Sequence, residues 1–267
     1  MYMNIKEIYD SLASEYDKKH FQPSSSAKYV EERRLDLICP YLKRSKDSKL
    51  LDIACGTGTY LEIAKRFGAD TVGCDISENM VRICKKKGFD NVFINDYRVL
   101  PFKEGTFDTI LCINAIHYSD DPKGVINEMR RVLSKDGTIL FTYFNNLNFR
   151  SINYLRRMYK KDHPISKERR FSPFQMKKIL NGLRPLHFYG INSLPIPSND
   201  KPRNATLLNV FHDIESLTKE TPLMHFFNEV FVVLKKYGLI PQALTFSMIH
   251  EITHFFYGCP CLPITPF

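Results

Sequence analysis

The sequence predicts an α/β protein with a doubly wound, mostly parallel sheet, on two observations. Between residues 49 and 143, apolar runs of strand length alternate with stretches of helical periodicity, and the turns that join them are short. The first apolar run ends in a glycine turn, Gly56-Thr-Gly58, as a buried parallel strand before a ligand-binding helix often does. With 267 residues, of which 43% are hydrophobic, the chain can form a substantial core.

Two helices are predicted before the sheet. Apolar residues, among them Tyr9 and Tyr16, recur at helical spacing over residues 4–20. A second set recurs at the same spacing over residues 26–42, where Leu35, Ile38 and Leu42 share one side. Together they form a predicted N-terminal helical cap.

Five strands and three helices follow in alternation. Ser77 is suited to cap the second of these helices, and Pro122 stands in the first turn of the third, where proline is favoured. Right-handed crossovers through such helices give the doubly wound arrangement. The predicted strands are Lys49–Ala54, Asp70–Asp75, Asn91–Asn95, Phe107–Ile113 and Thr138–Tyr143, and the predicted helices are Tyr60–Phe67, Ser77–Lys87 and Pro122–Leu133.

After residue 145 the alternation weakens. We predict a basic amphipathic helix over Phe149–Lys161, a helix from Ser172 to Leu183, and a strand over residues 185–194. Residues 195–204 are rich in proline and polar residues and are predicted to form a loop. The apolar stretch Leu223–Tyr237 predicts a further helix. The predicted fold is therefore a sheet core followed by additional helices.

The net charge of +9 is concentrated in one segment. From Arg150 to Arg184 the sequence contains eleven Lys and Arg residues and two acidic residues, Asp162 and Glu168. Such a segment favours an anionic substrate, a membrane surface or nucleic acid as partner, although a solvated helical face that maintains solubility fits the same pattern. Aromatic residues are interspersed with the basic ones, which is suited to an anionic, partly apolar or aromatic substrate.

Composition also bears on cellular location and on metals. The longest apolar runs are too short to cross a bilayer, and the N-terminus lacks the apolar run of a secretory signal. Seven scattered cysteines are typical of a reduced, cytoplasmic protein. The close pair Cys259 and Cys261 does not have the spacing of zinc or redox motifs, so we predict no metal site.

Three acidic residues are predicted at the ends of neighbouring strands, beside the glycine turn. Asp52 precedes the turn, Asp75 ends the second strand nineteen residues after Gly56, and Asp96 follows the third strand. Asp75 is placed to accept both ribose hydroxyls of a nucleoside, and Asp96 to accept the exocyclic amine of adenine. Leu61 stands where nucleotide-binding loops often have a third glycine, and the carboxylate of Asp52 disfavours a pyrophosphate. The set predicts a site for an adenosine with a cationic tail and no phosphate.

Five segments around these acids are similar to the motifs of one known family: Leu50–Tyr60, Val72–Met80, Asn95–Phe102, Phe107–His117 and Val132–Leu140. They resemble the class I S-adenosylmethionine-dependent methyltransferases, and most of all the branch of quinone-ring (ubiquinone and menaquinone) and other small-molecule methyltransferases. The resemblance implies a Rossmann-like sheet of the seven-stranded type, with S-adenosyl-L-methionine as cofactor and S-adenosyl-L-homocysteine as product.

The same resemblance suggests a division of the chain. Residues 1–145 would form a cofactor-binding methyltransferase core with the N-terminal helical cap. Residues 146–267 would hold the remainder of the sheet and an inserted helical region that binds substrate or acts as a lid. This second part matches no pattern of the family.

The resemblance further implies roles for individual residues. Asp52 and the backbone of the turn would hold the methionine part, Asp75 the ribose, and Asp96 the adenine edge. Ala54 departs from the family, in which many members have glycine there. The residues implied in cofactor binding are Tyr9, Tyr16, Asp52, Ala54, Cys55, Gly56, Thr57, Gly58, Asp75, Ile76, Met80, Asp96, Tyr97, Asn114 and Ala115.

His117 and Tyr118 are the candidate catalytic residues. Imidazole titrates near neutral pH and can take a proton from a hydroxyl or amine acceptor, so His117 is the preferred base, although packing beside the fourth strand explains this residue at least as well. Tyr118 is the weaker alternative. The expected reaction is methyl transfer to a small molecule, anionic or aromatic in character.

Three other functions remain open. The basic segment 150–184 fits an RNA or protein methyltransferase, although Asn114-Ala-Ile-His117 stands where base-amine methyltransferases of nucleic acids have an Asn-Pro-Pro-Tyr-type motif. A non-catalytic cofactor-binding protein is disfavoured by the intact acids. A nicotinamide-dependent oxidoreductase is disfavoured by Leu61 and Asp52.

Overall fold

The computed structural model describes residues 5–20, 26–146, 168–180, 183–191 and 227–236, and the structural statements below concern these residues. At the N-terminus, α1 (Ile5–Leu12) continues through a short 3-10 turn, Ala13–Glu15, into α2 (Tyr16–His20), and α3 (Ser26–Lys43) follows. The helices predicted over residues 4–20 and 26–42 are therefore present.

Seven strands form a single sheet: β1 (Lys49–Ile53), β2 (Asp70–Asp75), β3 (Val92–Ile94), β4 (Phe107–Cys112), β5 (Leu133–Phe144), β6 (Arg184–Ile191) and β7 (Glu229–Lys235). Their order across the sheet is β3-β2-β1-β4-β5-β7-β6. The first five strands pair in parallel, whereas β7 runs antiparallel to both β5 and β6. The predicted doubly wound, mostly parallel sheet is confirmed. The strand order reverses between β1 and β4, where such sheets bind ligands.

Four helices accompany the strands: α4 (Thr59–Arg66), α5 (Glu78–Lys86), α6 (Pro122–Val132) and α7 (Pro173–Ile179). The side chain of Ser77 accepts a hydrogen bond from the Met80 amide at 3.1 Å, so the predicted cap of α5 is confirmed. Asp121 caps α6 in the same way through the Gly124 amide. The two caps fix the starts of α5 and α6, which follow β2 and β4 in the chain.

Apolar side chains pack on both faces of the sheet. One layer includes Ile126 and Met129 of α6, and the other includes Ile38 and Leu42 of α3; all four are buried. The central strands β1 and β4 lie between the two layers and are almost wholly enclosed. Because interiors of this kind are closely packed, the carboxyl ends of these strands are held in fixed positions.

The helix predicted over Leu223–Tyr237 is wrong for the part that the structure describes. This part contains β7, which lies between β5 and β6. Val230, Val232 and Val233 are branched at Cβ, which favours a strand. A strand buried on both faces is apolar throughout and lacks the alternation that would distinguish it from a buried helix.

The other predictions after residue 145 have mixed outcomes. The helix predicted over Ser172–Leu183 is present but ends at Ile179, and the strand predicted over residues 185–194 corresponds to β6. The predicted helix Phe149–Lys161 and the predicted loop over residues 195–204 lie outside the described residues. Within the described ranges, no helix has both the length and the apolar character needed to cross a membrane.

Candidate functional site

A cavity lies at the carboxyl ends of β1, β2 and β4, beneath the N-terminal helices. Its volume of about 170 Å³ is many times the space that one water molecule needs, so it is suited to an organic ligand. Most of the predicted site residues line it: Tyr9, Tyr16, Ala54, Gly56, Asp75, Ile76, Met80, Asp96, Tyr97, Asn114, Ala115 and Tyr118.

Four predicted residues do not line the cavity: Asp52, which lies in β1, and Cys55, Thr57 and Gly58 of the turn. The amide of Gly58 donates to the Cys55 carbonyl at 2.9 Å, which closes the turn. The Thr57 hydroxyl donates to Asp17 of α2 at 2.5 Å, which ties the turn to the N-terminal helices. Cys55 and Thr57 therefore shape and anchor the turn.

The glycine turn places a backbone amide against Asp75. Gly56 has a φ of +54°, in the left-handed region that glycine adopts without strain. Its amide donates to one carboxylate oxygen of Asp75 at 2.9 Å, and the Ser77 amide donates to the other at 2.8 Å. Burial raises the pKa of Asp75, and these two hydrogen bonds oppose the rise. Each oxygen retains acceptor capacity for a ligand hydroxyl.

The buried side-chain atoms near the cavity that have no hydrogen-bond partner among the described residues include Asp52 Oδ2, Asn114 Oδ1 and both ring nitrogens of His117. Asp52 is 1% exposed, and its burial, followed by the charges of Asp75 and Glu31, raises its pKa. The backbone amide of Asn114 donates to Thr142 Oγ1 at 2.8 Å, which fixes the backbone just after β4. Because a buried acceptor without a donor is costly, Asn114 Oδ1, which belongs to a lining residue, is suited to a donor on a bound ligand.

Asp96 forms an ion pair with Arg98, a lining residue that the sequence reasoning did not include. The Arg98 Nε lies 3.0 and 2.9 Å from the two carboxylate oxygens, and Nη2 lies 2.5 Å from one of them. The hydrogen bonds from Arg98 lower the pKa of Asp96 despite its partial burial. The carboxylate is therefore held ionised at the edge of the cavity, beside Tyr97.

The helix α1 forms the roof of the cavity. The hydroxyl of Tyr9 donates to that of Tyr118, which follows β4, at 3.1 Å. Asp10 accepts from the Ser77 hydroxyl at 2.5 Å and from the Asn79 amide at 3.1 Å. These contacts fasten the roof to two of the loops that form the cavity.

His117 does not reach the cavity, so the geometry opposes the role of base predicted for it. Its side chain is fully buried, with ring centroids 4.2 Å from those of Tyr118 and Phe144. Burial, together with the charges of Arg34 and Arg170, lowers its pKa well below the ordinary value. A base must come within hydrogen-bond reach of the proton that it removes, and His117 is not among the residues that line this space.

Five lining residues were missed: Ile5, Arg98, Ile113, Ser119 and Asp120. The last four lie in the segments that follow β3 and β4, so their proximity to strand ends was a usable signal. Ile5 has no local signal, because its position depends on how α1 docks on the sheet.

The polar groups around the cavity fit an adenosine with a cationic amino acid tail. Asp75 can accept ribose hydroxyls and Asp96 an exocyclic amine, and both residues line the cavity. The partnerless oxygen of Asp52, which the family resemblance assigns to the methionine part, is enclosed behind the lining residues. Among the described lining residues the one cation is Arg98, which is already paired with Asp96. A phosphate would therefore find no available cation here.

Comparison with known proteins identifies relatives of the same segment. Residues 51–141, which contain the turn and the three acids, match a family model described as "Methyltransferase domain". An uncharacterized protein of Methanocaldococcus jannaschii is 33% identical over 183 residues, which cover 67% of each chain.

Two relatives with stated activities act on different kinds of substrate. The tRNA (carboxymethyluridine(34)-5-O)-methyltransferase alkbh8 of Xenopus tropicalis is 35% identical over 139 residues, 51% of this chain and 20% of that protein. The ubiquinone biosynthesis O-methyltransferase of Bordetella avium is 25% identical over 122 residues, 43% of this chain and 51% of that protein. This chain thus spans about half or less of these two relatives.

Solved structures share the fold over most of the chain. Magnesium protoporphyrin IX methyltransferase from Synechocystis, solved with bound SAH, has a TM-score of 0.60 at 14% identity and covers 87% of this chain and 98% of its own. A possible histamine N-methyltransferase from Thermotoga maritima has a TM-score of 0.56 at 19% identity and covers 87% and 100%. At such identities the likeness concerns the fold.

Proposed function

Because the chain belongs to the class I S-adenosylmethionine-dependent methyltransferases, we propose that it transfers the methyl group of this cofactor to a small molecule in the cavity under α1. Methyl transfer and the cofactor follow from the family. The acceptor does not, since the relatives include a tRNA methyltransferase and a ubiquinone methyltransferase.

The closure of the cavity by α1 is the observation that carries the proposal. The hydrogen bond from Tyr9 to Tyr118 connects the roof to the loop after β4, and Asp10 fastens the same helix at a second point. An acceptor must meet the methyl group inside this roofed space. A compact molecule fits there more readily than a base of a folded RNA or a side chain of a folded protein.

The cofactor is held in this proposal by the strand-end groups. Asp75 accepts the ribose hydroxyls and Asp96 the adenine amine, while Asp52 and the turn hold the methionine part. Asn114 and Ala115, which follow β4, line the cavity, and in this proposal they lie beside the methyl group. Ile76, Met80 and Tyr97 supply the apolar contacts to the adenine.

The chain's own residues contribute alignment and exclusion of water. When bound, the cofactor supplies a methyl group on a positively charged sulfur, which leaves as a neutral thioether. The acceptor atom must lie in line with that bond at near-attack distance. Tyr9 and Tyr118 hold the cover over this space and limit the access of water.

An RNA acceptor is the second candidate, because several relatives are named tRNA methyltransferases, 31–35% identical to this chain. The basic segment 150–184 that motivates it lies largely outside the described residues. Of its described cations, Arg169 donates to the Asp120 carbonyl at 2.6 Å and Arg170 to the Asn228 side chain at 3.0 Å. These two arginines are engaged in internal contacts, whereas Lys177 and Lys178 on α7 are exposed and accessible to phosphates. No contact among the described residues specifically favours a protein acceptor.

An anionic acceptor, expected from the basic segment, is not supported by the described cavity. Asp75, Asp96 and Asp120 line it, and its cation Arg98 is paired with Asp96. Like charges repel in a partly buried site, where screening by salt is weak. A neutral or cationic acceptor is favoured instead.

Two measurements test the proposal. Calorimetric titration should show binding of S-adenosylmethionine and none of NAD. Incubation of the enzyme with cell extract and tritiated cofactor, followed by separation into metabolite, RNA and protein fractions, should place the label in metabolites. Label in RNA together with salt-dependent RNA retention would replace this proposal with the second candidate.

A further inference from the structure

We propose that the methyl acceptor is an amine and that Tyr9, Tyr16 and Tyr118 form an aromatic cage for its positive charge. The proposal rests on the small-molecule methyltransferase function proposed above and specifies the class of its substrate. Three features support it: the arrangement of the rings, the acidic groups around them, and the charge balance of amine methylation.

The three rings stand at steep angles around the same cavity. The centroids of Tyr9 and Tyr16 are 6.4 Å apart with planes inclined at 53°, and those of Tyr9 and Tyr118 are 5.8 Å apart with planes inclined at 76°. All three residues line the cavity. Aromatic faces attract a cation that lies within about 6 Å of the ring, and several rings around one volume combine this attraction. Such an enclosure favours an alkylated ammonium over a neutral group of the same shape.

Acidic groups add to the negative potential of the cage. The Tyr118 hydroxyl donates to Glu168 at 3.4 Å, so a carboxylate lies at the hydroxyl end of one ring. Asp120 lines the cavity close to Tyr118. Arg170 approaches Glu168 to 3.9 Å and Arg169 donates to the Asp120 carbonyl at 2.6 Å, so each offsets part of the nearby negative charge, whereas Arg98 is neutralised by its own carboxylate partner. The ring faces therefore provide the main attraction for a cation on the acceptor side, and the carboxylates assist them.

Methylation of an amine keeps the total charge of the site constant. An amine that enters as an ammonium first releases its proton to water. The lone pair of the neutral amine nitrogen then forms the new N–C bond, the S–C bond breaks with its electrons moving to sulfur, and the positive charge passes to nitrogen. If the nitrogen carries a hydrogen, the ammonium product then releases a proton to water. Groups that hold a cation beside the nitrogen stabilise the charge that develops there in the transition state.

A hydroxyl acceptor would instead need a base within the cavity. His117 is fully buried and is not among the residues that line the cavity. Burial raises the pKa of Tyr9 to about 12 and raises that of Tyr118 as well, so both phenols remain protonated at neutral pH. The other titratable groups of the described lining include carboxylates, which are weak bases toward a hydroxyl. An amine acceptor removes the need for a base during the transfer.

The sulfonium of the cofactor is also an alkylated cation and shares the chemistry that the cage would recognise. Recognition of the cofactor sulfonium and recognition of an acceptor ammonium are distinguished by filling the cofactor site with S-adenosylhomocysteine, which has no sulfonium. If the cage serves the acceptor, an ammonium compound still binds to the protein in this state.

The experiment uses a pair of ligands that differ in charge and not in shape. The full chain is first titrated with S-adenosylhomocysteine by calorimetry, which tests the cofactor site alone. The saturated protein is then titrated with choline and with 3,3-dimethylbutan-1-ol, its neutral carbon isostere. We expect choline to bind about tenfold more tightly or better, as cation–π contacts in a desolvated site provide.

Variants of one cage residue assign the effect to the ring. Tyr118→Leu removes a wall of the cage, whereas Tyr118→Phe keeps the ring and removes the contacts with Glu168 and Tyr9. Both variants lose the hydrogen bond from Tyr9, so the comparison between them isolates the ring. We expect the first to lose about tenfold in choline affinity and the second to lose less, and the preference for choline over the neutral isostere to fall more in Tyr118→Leu than in Tyr118→Phe. Phe174→Leu is the matched control, because Phe174 lies on α7 and is 76% exposed. This substitution should change the affinity for neither ligand.

A panel of small amines, phenols and carboxylic acids with tritiated S-adenosylmethionine completes the test, and transfer to amines supports the proposal. Equal binding of choline and its isostere, or transfer to phenols or acids in preference to amines, overturns the amine proposal and leaves the methyltransferase function intact. Choline binding that disappears when S-adenosylhomocysteine is present assigns the cage to the cofactor and also overturns it. Absence of S-adenosylhomocysteine and S-adenosylmethionine binding would overturn the proposed function itself.

Discussion

Arg34 and Glu229, 195 positions apart in the chain, form a bidentate ion pair in the protein interior. The Nε and Nη2 atoms of Arg34 lie 2.8 and 2.7 Å from the two carboxylate oxygens, and Nη1 lies 2.8 Å from Glu31. Tyr60 donates to the other oxygen of Glu31. The group joins α3, α4 and β7, so it ties the antiparallel side of the sheet to the helix that precedes β1.

Arg34→Met should lower the free energy of unfolding by about 3–5 kcal/mol, because two carboxylates then remain buried without their cation. Unfolding in urea at neutral pH measures the change. Arg66→Met is the matched control, since Arg66 is 59% exposed and pairs with Glu62 one turn away on α4. The Arg66→Met substitution should lower the free energy of unfolding by less than about 1 kcal/mol. Similar losses in the two variants would contradict the role assigned to the buried pair.

Asp52 should make the stability of the cofactor-free protein fall as the pH rises. Its burial raises its pKa, and the negative charges of Asp75 and Glu31 raise it further. The folded protein therefore holds this proton more tightly than the unfolded chain, in which the pKa of an aspartate is about 3.9. The stabilisation is complete below about pH 4 and is lost as the pH rises toward the folded pKa.

Asp52→Asn removes this titration and keeps the shape of the side chain. The cofactor-free variant should be more stable at pH 7 by about 1–3 kcal/mol, with a flatter dependence on pH. It should also bind S-adenosylmethionine less tightly, because the carboxylate proposed to hold the methionine part is lost. Urea unfolding from pH 4 to 8 and calorimetry measure the two effects, with Asp136→Asn on the exposed part of β5 as control. A variant less stable than the parent at pH 7 would refute the buried-charge explanation.

The cofactor half of the site could be predicted from the sequence because its signals are local. The glycine turn, Asp75 and Asp96 each follow an apolar run, and parallel strands bring their carboxyl ends to one edge. No contact between distant segments was needed for that inference.

The roof and the acceptor side could not be predicted, because they depend on contacts between distant segments. Tyr9 and Tyr118 are 109 positions apart, and nothing near either residue indicates the other. The position of His117 likewise depends on Phe144 and on the chain near Arg169, whose amide donates to the His117 carbonyl at 2.7 Å. A histidine after a strand looks the same in sequence whether its ring points into a cavity or into the core.

Asp75→Ala should weaken the binding of S-adenosylhomocysteine by about 10–100-fold, because a charged hydrogen-bond acceptor contributes about 1.5–3 kcal/mol. Part of this loss comes from the amides of Gly56 and Ser77, which lose their acceptor. Asp108→Ala is the control, since its carboxylate accepts from the Lys49 amide at 3.0 Å at the opposite ends of the strands. Calorimetry should find that the Asp108→Ala variant binds S-adenosylhomocysteine with unchanged affinity. An unchanged affinity in the Asp75 variant would disprove the site assignment.

Asp10→Ala should accelerate the release of the cofactor product. The Asp10 carboxylate accepts hydrogen bonds from Ser77 and Asn79 at the start of α5. In the sequence these two residues stand between Asp75 and Met80, which line the cavity. Without these contacts α1 is held less firmly over the cavity, so S-adenosylhomocysteine should dissociate about tenfold faster, as expected for the loss of about 1–2 kcal/mol of hydrogen bonding. Stopped-flow displacement measures the rate.

Hydrogen exchange of the amides in Ile5–Leu12 should become faster in the same variant if the roof opens. Asp36→Ala is the control, because Asp36 is a half-exposed partner of Arg33 on α3, away from the cavity lining. Faster exchange in α1 without faster release would show that the helix opens independently of the ligand. The closure of the cavity would then no longer favour a small acceptor over RNA, because an open roof would admit either.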